Sequence, residues 1–536
     1  MNFDAIVVGS GASGVHAAWP LVKAGRRVLM LDVGNTDENY APLIPNRSFD
    51  EIRKSDPNQH RYLLGDQHEG IPLGEIRVGA QLTPPRQYLA DAPPTHFPTQ
   101  AFGFNAMQST ALGGLAAGWG ASAPPLSDAD MAGWPIARAD LQSHYEAVAQ
   151  RIGISGVAND ALELFHRGIE NLQPAPPQDA NAQALLAAYA PQREALRTAG
   201  FFLGAPRLAM CTQPLPGRGA TALHDMDFWS DADRSVYRPR YTLEELRKHS
   251  NFKYEAGVVV RTFANAEDGS VRVSGRKLPE GRTIEFAAER LILAAGTLNT
   301  SRIVLSSYQK WNLSIPILSN PYVYFPCLMW KRIGAPTGEA RHSLTQLAAY
   351  FVSGDAFGRA VQAQVYSYRS LLNFKLVKES PGGVSASTQI MRLLHPYFII
   401  VGIHHEDRPT EAKRLQVLKA DQNALEQLTI HYARSTQETS EQRRAEHQMM
   451  GCFRKLGAVP IKRIDPGPGS SIHYGGSLPM SNDEKQLTTR PDGSLRGARN
   501  VFIADGSVLP HLPAKGLTFT LMANADRIGC GVLKGL

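Results

Sequence analysis

A chain of 536 residues with 43% hydrophobic and 20% charged residues is too long for a single core and too apolar for a disordered chain, so two or more globular domains are expected. Its net charge of +7 comes from scattered Lys and Arg, such as Arg26-Arg27 and Arg443-Arg444. Without a basic stripe and interleaved aromatics, nucleic-acid binding is not expected. The four cysteines, Cys211, Cys327, Cys452 and Cys530, stand in no metal-ligand or disulfide-framework spacing, which fits a reducing cytoplasm. No signal-peptide pattern and no apolar run of transmembrane length occurs, so a cytoplasmic protein without a membrane span is expected.

In chain order, AIVV at 5–8 reads as a buried strand. A glycine turn follows, then a helix to about Lys23, then Gly25. RVLML at 27–31 gives a second strand ending at Asp32. A βαβ unit this short requires parallel strands. Residues 35–105 are rich in Pro, Asp, Asn and Arg and predict long surface loops. Residues 111–122 are mostly Ala and Gly with one Trp. An amphipathic helix is predicted over 138–152, and Ala-rich helix over 158–200. Strand-like alternation runs over 252–294 and ends in LILAAG. The segments AVQAQVYSY, PYFIIVGIHH and RLQVLKA within 345–430 predict an antiparallel sheet in a separate domain. A charged helix spans 437–456, PGPGSS at 466–471 marks a boundary, and the last seventy residues return to strand, glycine turn and helix.

The first turn reads Gly9-Ser10-Gly11-Ala12-Ser13-Gly14. Gly9 permits the tight turn, Gly11 lets backbone approach a pyrophosphate, and Gly14 lets helix and strand pack closely. The phosphates then meet the free N–H groups of the helix start, at Ala12 and Ser13. Asp32, eighteen residues after Gly14, can accept from ribose hydroxyls and disfavours a 2′-phosphate. The motif alone does not separate FAD from NAD.

Three later segments do: Ala111-Leu112-Gly113-Gly114-Leu115-Ala116-Ala117-Gly118-Trp119-Gly120 with Gly133-Trp134-Pro135-Ile136; Leu293-Ala294-Ala295-Gly296-Thr297; and Ser471-Ile472-His473-Tyr474-Gly475-Gly476-Ser477 with Asp505-Gly506-Ser507-Val508-Leu509-Pro510. With the N-terminal fingerprint, they resemble the glucose-methanol-choline (GMC) oxidoreductase family, nearest its pyranose-oxidase-like branch. The resemblance is strong at both ends and weak over roughly 155–235 and 310–460.

The resemblance implies an α/β fold: a discontinuous Rossmann-like FAD-binding domain (1–155, 236–312 and 465–536) and a substrate domain (156–235 and 313–464) built on an antiparallel sheet flanked by helices. It implies oxidation of a CH–OH group in a small polar molecule, a sugar or secondary metabolite, by hydride transfer to flavin N5. The electron acceptor is left open between oxygen, a quinone and another carrier. His473 takes the base position, which a histidine suits without large tuning. Gly113, Gly114 and Ala117 match a loop along the isoalloxazine, with Trp119 nearby. Val259 matches an adenine contact, and Ala295, Gly296, Asp505, Gly506, Gly516 and Leu517 match further cofactor contacts. Ser477 matches a position often held by Thr.

One departure stands out. The family's second catalytic His or Asn falls here on Gly516, which has no side chain to bond a substrate oxygen. Lys515 and His511 are the neighbouring candidates to replace it. The gap leaves open a flavoenzyme of another class, such as CH–CH desaturation or an unusual biosynthetic oxidation. Residues 115–119 contain no His for covalent flavin attachment, so non-covalent FAD is expected. His404 and His405 face opposite sides of a strand, which argues against a metal pair, and no metal is expected. Tyr366, Tyr368 and Arg369 are candidates for a sugar or carboxylate pocket.

Overall fold

The structure, a computed structural model, describes residues 3–36, 39–70, 85–90, 96–338, 342–352, 360–367, 383–419 and 426–536. The first strand, Phe3–Val8, is buried on both faces from Ala5 onward, which is why its sequence is continuously apolar rather than alternating. It pairs in parallel with Val28–Leu31 on one side and with the end of the long strand Arg282–Leu293 on the other. Phe252–Glu255 extends the parallel set beyond Val28–Leu31, and Val501–Ile503 joins alongside Leu291–Leu293. The long strand leaves this set at its start, where it pairs antiparallel with Val271–Lys277, and Val258–Asn265 follows. Helices Ala12–Lys23 and Thr518–Lys534 pack closely because Gly529 has no side chain: a Cβ there would lie 2.3 Å from the Ala17 carbonyl oxygen.

A second sheet has six antiparallel strands in the order Ala458–Pro460, Tyr322–Met329, Phe398–His404, Ala360–Ser367, Leu347–Val352 and Phe201–Gly204. Alternation divides its faces. Val323, Phe325, Cys327, Val401 and Ile403 pack against Met449, Met450 and Phe453 of helix Thr436–Lys455. The opposite positions, Tyr322, Tyr324, Pro326, Ile400 and His404, face a cavity.

Three expectations need correction. Residues 35–105 are not all loop: they hold helices Phe49–Ser55 and Gln59–Leu64 and the strand Thr99–Phe102. Those helices are too short to show periodicity, and they form because Ile52, Tyr62 and Leu63 pack on Met226 and Trp229. Within 158–200, helix is broken into Glu163–His166, Ala180–Tyr189 and Arg193–Thr198. RLQVLKA does not join the two segments before it. Lys413–Leu418 belongs to a separate sheet with Gln427–Tyr432, Ile315–Pro316 and Thr99–Phe102. Among the described residues, no helix is long and apolar enough to cross a membrane.

Candidate functional site

A cavity of about 1160 Å³ runs from the glycine turn of the parallel sheet to the aromatic face of the antiparallel one. This exceeds what a single drug-sized ligand fills. At one end, Gly9 has φ +100°, and a Cβ there would lie 2.5 Å from the Ala294 carbonyl oxygen. A Cβ on Gly14 would lie 1.8 Å from the Gly9 carbonyl oxygen. Gly11 differs: its Cβ would find only the Gly113 carbonyl oxygen at 3.7 Å, so the space it keeps open belongs to the cavity. Helices Ala12–Lys23, Thr297–Ser307 and Thr518–Lys534 all begin on this cavity without a side-chain cap. Their first-turn N–H groups, which no N-cap side chain satisfies, form an anion-favouring wall. Asp32 lies beside them, and its Oδ2 accepts from Ser10 and from Tyr254, the latter at 3.1 Å. Burial pushes its carboxyl up to about 6 against these donors.

The predicted cofactor residues divide. Gly9, Gly11, Ala12, Ser13, Asp32, Gly114, Val259, Ala295, Gly296, Asp505, Gly506, Gly516 and Leu517 border the cavity. Gly14, Gly113 and Ala117 do not. Gly14 is spent on helix–turn packing. The Gly113 N–H donates to Ser10 Oγ at 2.9 Å, and Ala117 packs with Leu89 and Ala111. Trp119 borders the cavity while its Nε1 donates to the Tyr237 carbonyl at 2.8 Å. Asp505 both borders the cavity and caps the turn Gly506–Val508, accepting from the Ser507 N–H at 3.0 Å. Burial raises its pKa. Ser477 is buried away from the cavity and accepts from Ser301 Oγ at 2.7 Å.

At the other end stands His473. The residue before it, Ile472, has φ +61°, a conformation that β-branched side chains avoid and that marks functional loops when it persists. His473 Nδ1 lies 3.2 Å from Oδ1 of Asn320. The Asn320 amide nitrogen donates to the carbonyls of His405 at 2.8 Å and Pro513 at 2.9 Å. Burial pushes the His473 imidazole down to about 4, so the ring is neutral over ordinary pH. The ring of His404 stacks on it, with centroids 5.3 Å apart and planes 23° apart.

Lys515 and His511 do not reach this end. Lys515 is 1% exposed; its ammonium pairs with Asp130 at 2.5 Å and donates to the Phe165 carbonyl at 3.0 Å. His511 receives the Trp134 indole N–H at Nδ1, 3.1 Å away, and its Nε2 meets the Asp130 carbonyl at 2.9 Å. Both are held by the Asp130 segment rather than turned to the cavity. At Gly516, the N–H donates to Gln362 at 3.2 Å, and a Cβ would lie 3.3 Å from the Ser122 carbonyl oxygen. His405 points away from His404, 3.3 Å from Glu446.

Of the pocket candidates, Tyr366 borders the cavity and donates to Gln364, whereas Tyr368 and Arg369 lie outside the described residues. Sequence reasoning missed Asn320, Tyr322, Tyr324 and Gln364. For Tyr322 and Tyr324 a signal was present: aromatic, proline and apolar residues alternate through YVYFPCLM. Asn320 had none, because its carbonyl partners come from distant segments. One group of metal-ligand atoms exists among the described residues, His144, Asp526 and Cys530. Asp526 is already engaged there by His144 at 2.8 Å and Arg151 at 2.9 Å.

Residues 409–525 match the family profile described as GMC oxidoreductase. Over its length the chain is 25% identical to 6'''-hydroxyparomomycin C oxidase of Streptomyces lividus and 24% identical to paromamine 6'-oxidase of Streptomyces fradiae. Each match covers 98% of this chain and 90% of the relative. Its fold is similar to the crystal structure of pyridoxine 4-oxidase from Mesorbium loti, with a TM-score of 0.53, 15% identity and 99% of both chains covered.

Proposed function

We propose that the chain is an oxidoreductase of the GMC family, that it holds FAD non-covalently, and that it oxidises a CH–OH group of a small polar substrate with His473 as the base. The relatives' names point to an amino-sugar alcohol of the paromamine type as substrate. One observation carries this reading: a single cavity joins an open glycine turn with uncapped helix starts at one end to a neutral, oriented histidine at the other.

The residues fit the cofactor. Gly11, Ala12 and Ser13 would hold the pyrophosphate, Asp32 the ribose hydroxyls, and Val259 the adenine edge. Gly114, Gly296, Asp505, Gly506 and Leu517 would border the rest. When bound, FAD supplies the two-electron sink for the hydride released by the substrate carbon. In this reading the chain divides into the cofactor domain of 1–155, 236–312 and 465–536 and the substrate domain of 156–235 and 313–464. The parallel sheet draws its strands from the first set and the antiparallel sheet from the second.

The protein's own work is positioning and proton transfer. Asn320 fixes the proton on His473 Nδ1, which leaves Nε2 with a lone pair for the hydroxyl proton. The aromatic wall of Tyr322, Tyr324 and Tyr366 shapes the substrate end and excludes water there. The test is the visible spectrum of the purified protein before and after acid precipitation, then anaerobic mixing with paromamine and a panel of alcohols. Flavin released to the supernatant and bleached by an alcohol, but not in His473→Ala, is the expected result. A colourless protein that FAD cannot reconstitute rejects the cofactor, colour left in the pellet rejects non-covalent binding, and normal bleaching in His473→Ala rejects the base.

A further inference from the structure

His404 ends the strand Phe398–His404 on the cavity side of the antiparallel sheet. It is 7% exposed, and its Nδ1 is enclosed with no hydrogen-bond partner. Buried polar groups rarely stay unbonded in a finished structure. The nearest polar side chains do not supply the missing partner. Gln362 stands directly opposite in register, but its amide nitrogen donates to the Tyr350 hydroxyl at 2.8 Å and its oxygen accepts from the Gly516 N–H at 3.2 Å. Tyr322 presents its ring, with the centroids 4.6 Å apart. Asn320 is committed to His473 and to backbone carbonyls. The imidazole packs against the rings of Tyr322 and His473 with Nδ1 unbonded and enclosed, which leaves Nε2 as the nitrogen that a molecule in the cavity could reach.

The two histidines are neighbours on one cavity. Their ring centroids are 5.3 Å apart and their planes nearly parallel. Both residues border the same cavity, so one substrate group there can stand beside both rings. Burial and the neighbouring imidazoles keep His404 neutral, and a neutral imidazole has one N–H to donate.

We propose that His404 is a second catalytic residue, donating a hydrogen bond to the same substrate oxygen that gives its proton to His473. The proposal rests on the reading of His473 as base. In the step, the O–H bond breaks and its proton goes to His473 Nε2. The C–H bond breaks and its electron pair leaves with the hydrogen as hydride to FAD, the two-electron acceptor, and a C=O bond forms. Through this step the oxygen carries growing negative charge, and the His404 N–H stabilises it without gaining or losing a proton. The residue comes from the antiparallel sheet rather than from the loop holding Gly516, so the substrate domain itself would complete the catalytic pair.

The experiment compares FAD-loaded wild type, His404→Leu, His404→Gln and His473→Ala by anaerobic stopped-flow bleaching with paromamine and the alcohol panel. His404→Leu should lower the limiting rate about 10²–10³-fold, the usual loss for an oxyanion donor, with a much smaller change in the half-saturating concentration. His404→Gln, which keeps a donor, should regain at least about tenfold. Leu and Gln variants that lose rate equally, or a Leu variant within about threefold of wild type, overturn the proposal. If no alcohol bleaches the wild type, the functional reading fails and the proposal falls with it. If His473→Ala loses bleaching while His404→Leu keeps it, the second donor alone fails. A readout free of turnover uses oxidised His473→Ala: saturating paromamine should shift the ¹⁵N signals of the His404 ring. Saturable binding without that shift overturns the proposal as well.

Discussion

Asn320 and His473 meet at 3.2 Å, and the surrounding backbone decides which end of the amide faces the ring. With its nitrogen pointed at two carbonyls, Asn320 can offer only an acceptor to Nδ1. The proton on His473 therefore sits on Nδ1, and the lone pair sits on Nε2. Removing that constraint in Asn320→Leu lets the ring change tautomer and rotate. A loss of about 10–100-fold in the rate of flavin reduction is expected, in the range of other residues that orient a reactive histidine. Asn320→Asp should act differently: a carboxylate beside Nδ1 favours the imidazolium and should move the acid limb of the rate up by about 1–3 pH units. The pH dependence of the anaerobic rate for both variants checks this. An acid limb unmoved in Asn320→Asp would count against the assignment.

The wild-type limb carries its own expectation. Burial lowers the His473 imidazole to about 4, so the neutral, proton-accepting form persists as pH falls from neutrality and is lost only through that lower value. The limiting rate of flavin reduction should stay flat well below the ordinary histidine value of about 6.5 and then drop about tenfold per pH unit. Flavin absorbance and tryptophan fluorescence at each pH separate this limb from acid unfolding. A limb centred near 6.5 would show that His473 is solvated like a surface histidine.

The glycine-turn end of the cavity was legible because it is local. Strand, turn, helix and acid lie within 32 consecutive residues, and each glycine there answers a contact or a dihedral angle. The antiparallel strands were legible in part, since alternation in PYFIIVGIHH is a property of the strand itself. Which strand sits beside which is not, and RLQVLKA was accordingly given to the wrong sheet. The substrate end was the least legible. Asn320 and His404 are 153 and 69 residues from His473, and only the meeting of a loop with the end of an inner strand brings them together. Lys515 and His511 lie off the cavity for the same reason. Closeness in sequence to Gly516 said nothing about Asp130, which binds them both.

The second and third glycines of the motif should fail in different ways. In Gly14→Ala, the new methyl would lie 1.8 Å from the Gly9 carbonyl oxygen, so the helix must move off the strand. A destabilisation of about 1–3 kcal/mol or more is expected, together with loss of FAD. In Gly11→Ala, φ is −66° and the methyl meets nothing nearer than 3.7 Å. The fold should be kept, with melting unchanged within about 2 °C, while FAD affinity falls if the proposed pyrophosphate site is here. Thermal melting of the apoprotein and FAD titration distinguish the two. Full FAD affinity in Gly11→Ala would remove the phosphate from this turn.

Lys515 tests whether proximity to the departed second catalytic position has any chemical meaning. Its ammonium is enclosed by the Asp130 carboxylate and the carbonyls of Pro125 and Phe165, with no edge on the cavity. Replacing it by Met leaves Asp130 as an uncompensated charge at an 11% exposed side chain, for which a loss of about 3–5 kcal/mol is usual. The double variant Lys515→Met with Asp130→Asn removes both charges and should recover a large part of that loss. Urea unfolding of the single and double variants measures the coupling. Where the variants fold and bind FAD, their rate of flavin reduction per bound flavin should fall within about threefold of wild type, because neither member of the pair borders the cavity. A rate drop of about 10²-fold in the well-folded double variant would restore Lys515 to the chemistry, as expected of a lost charge-stabilising donor.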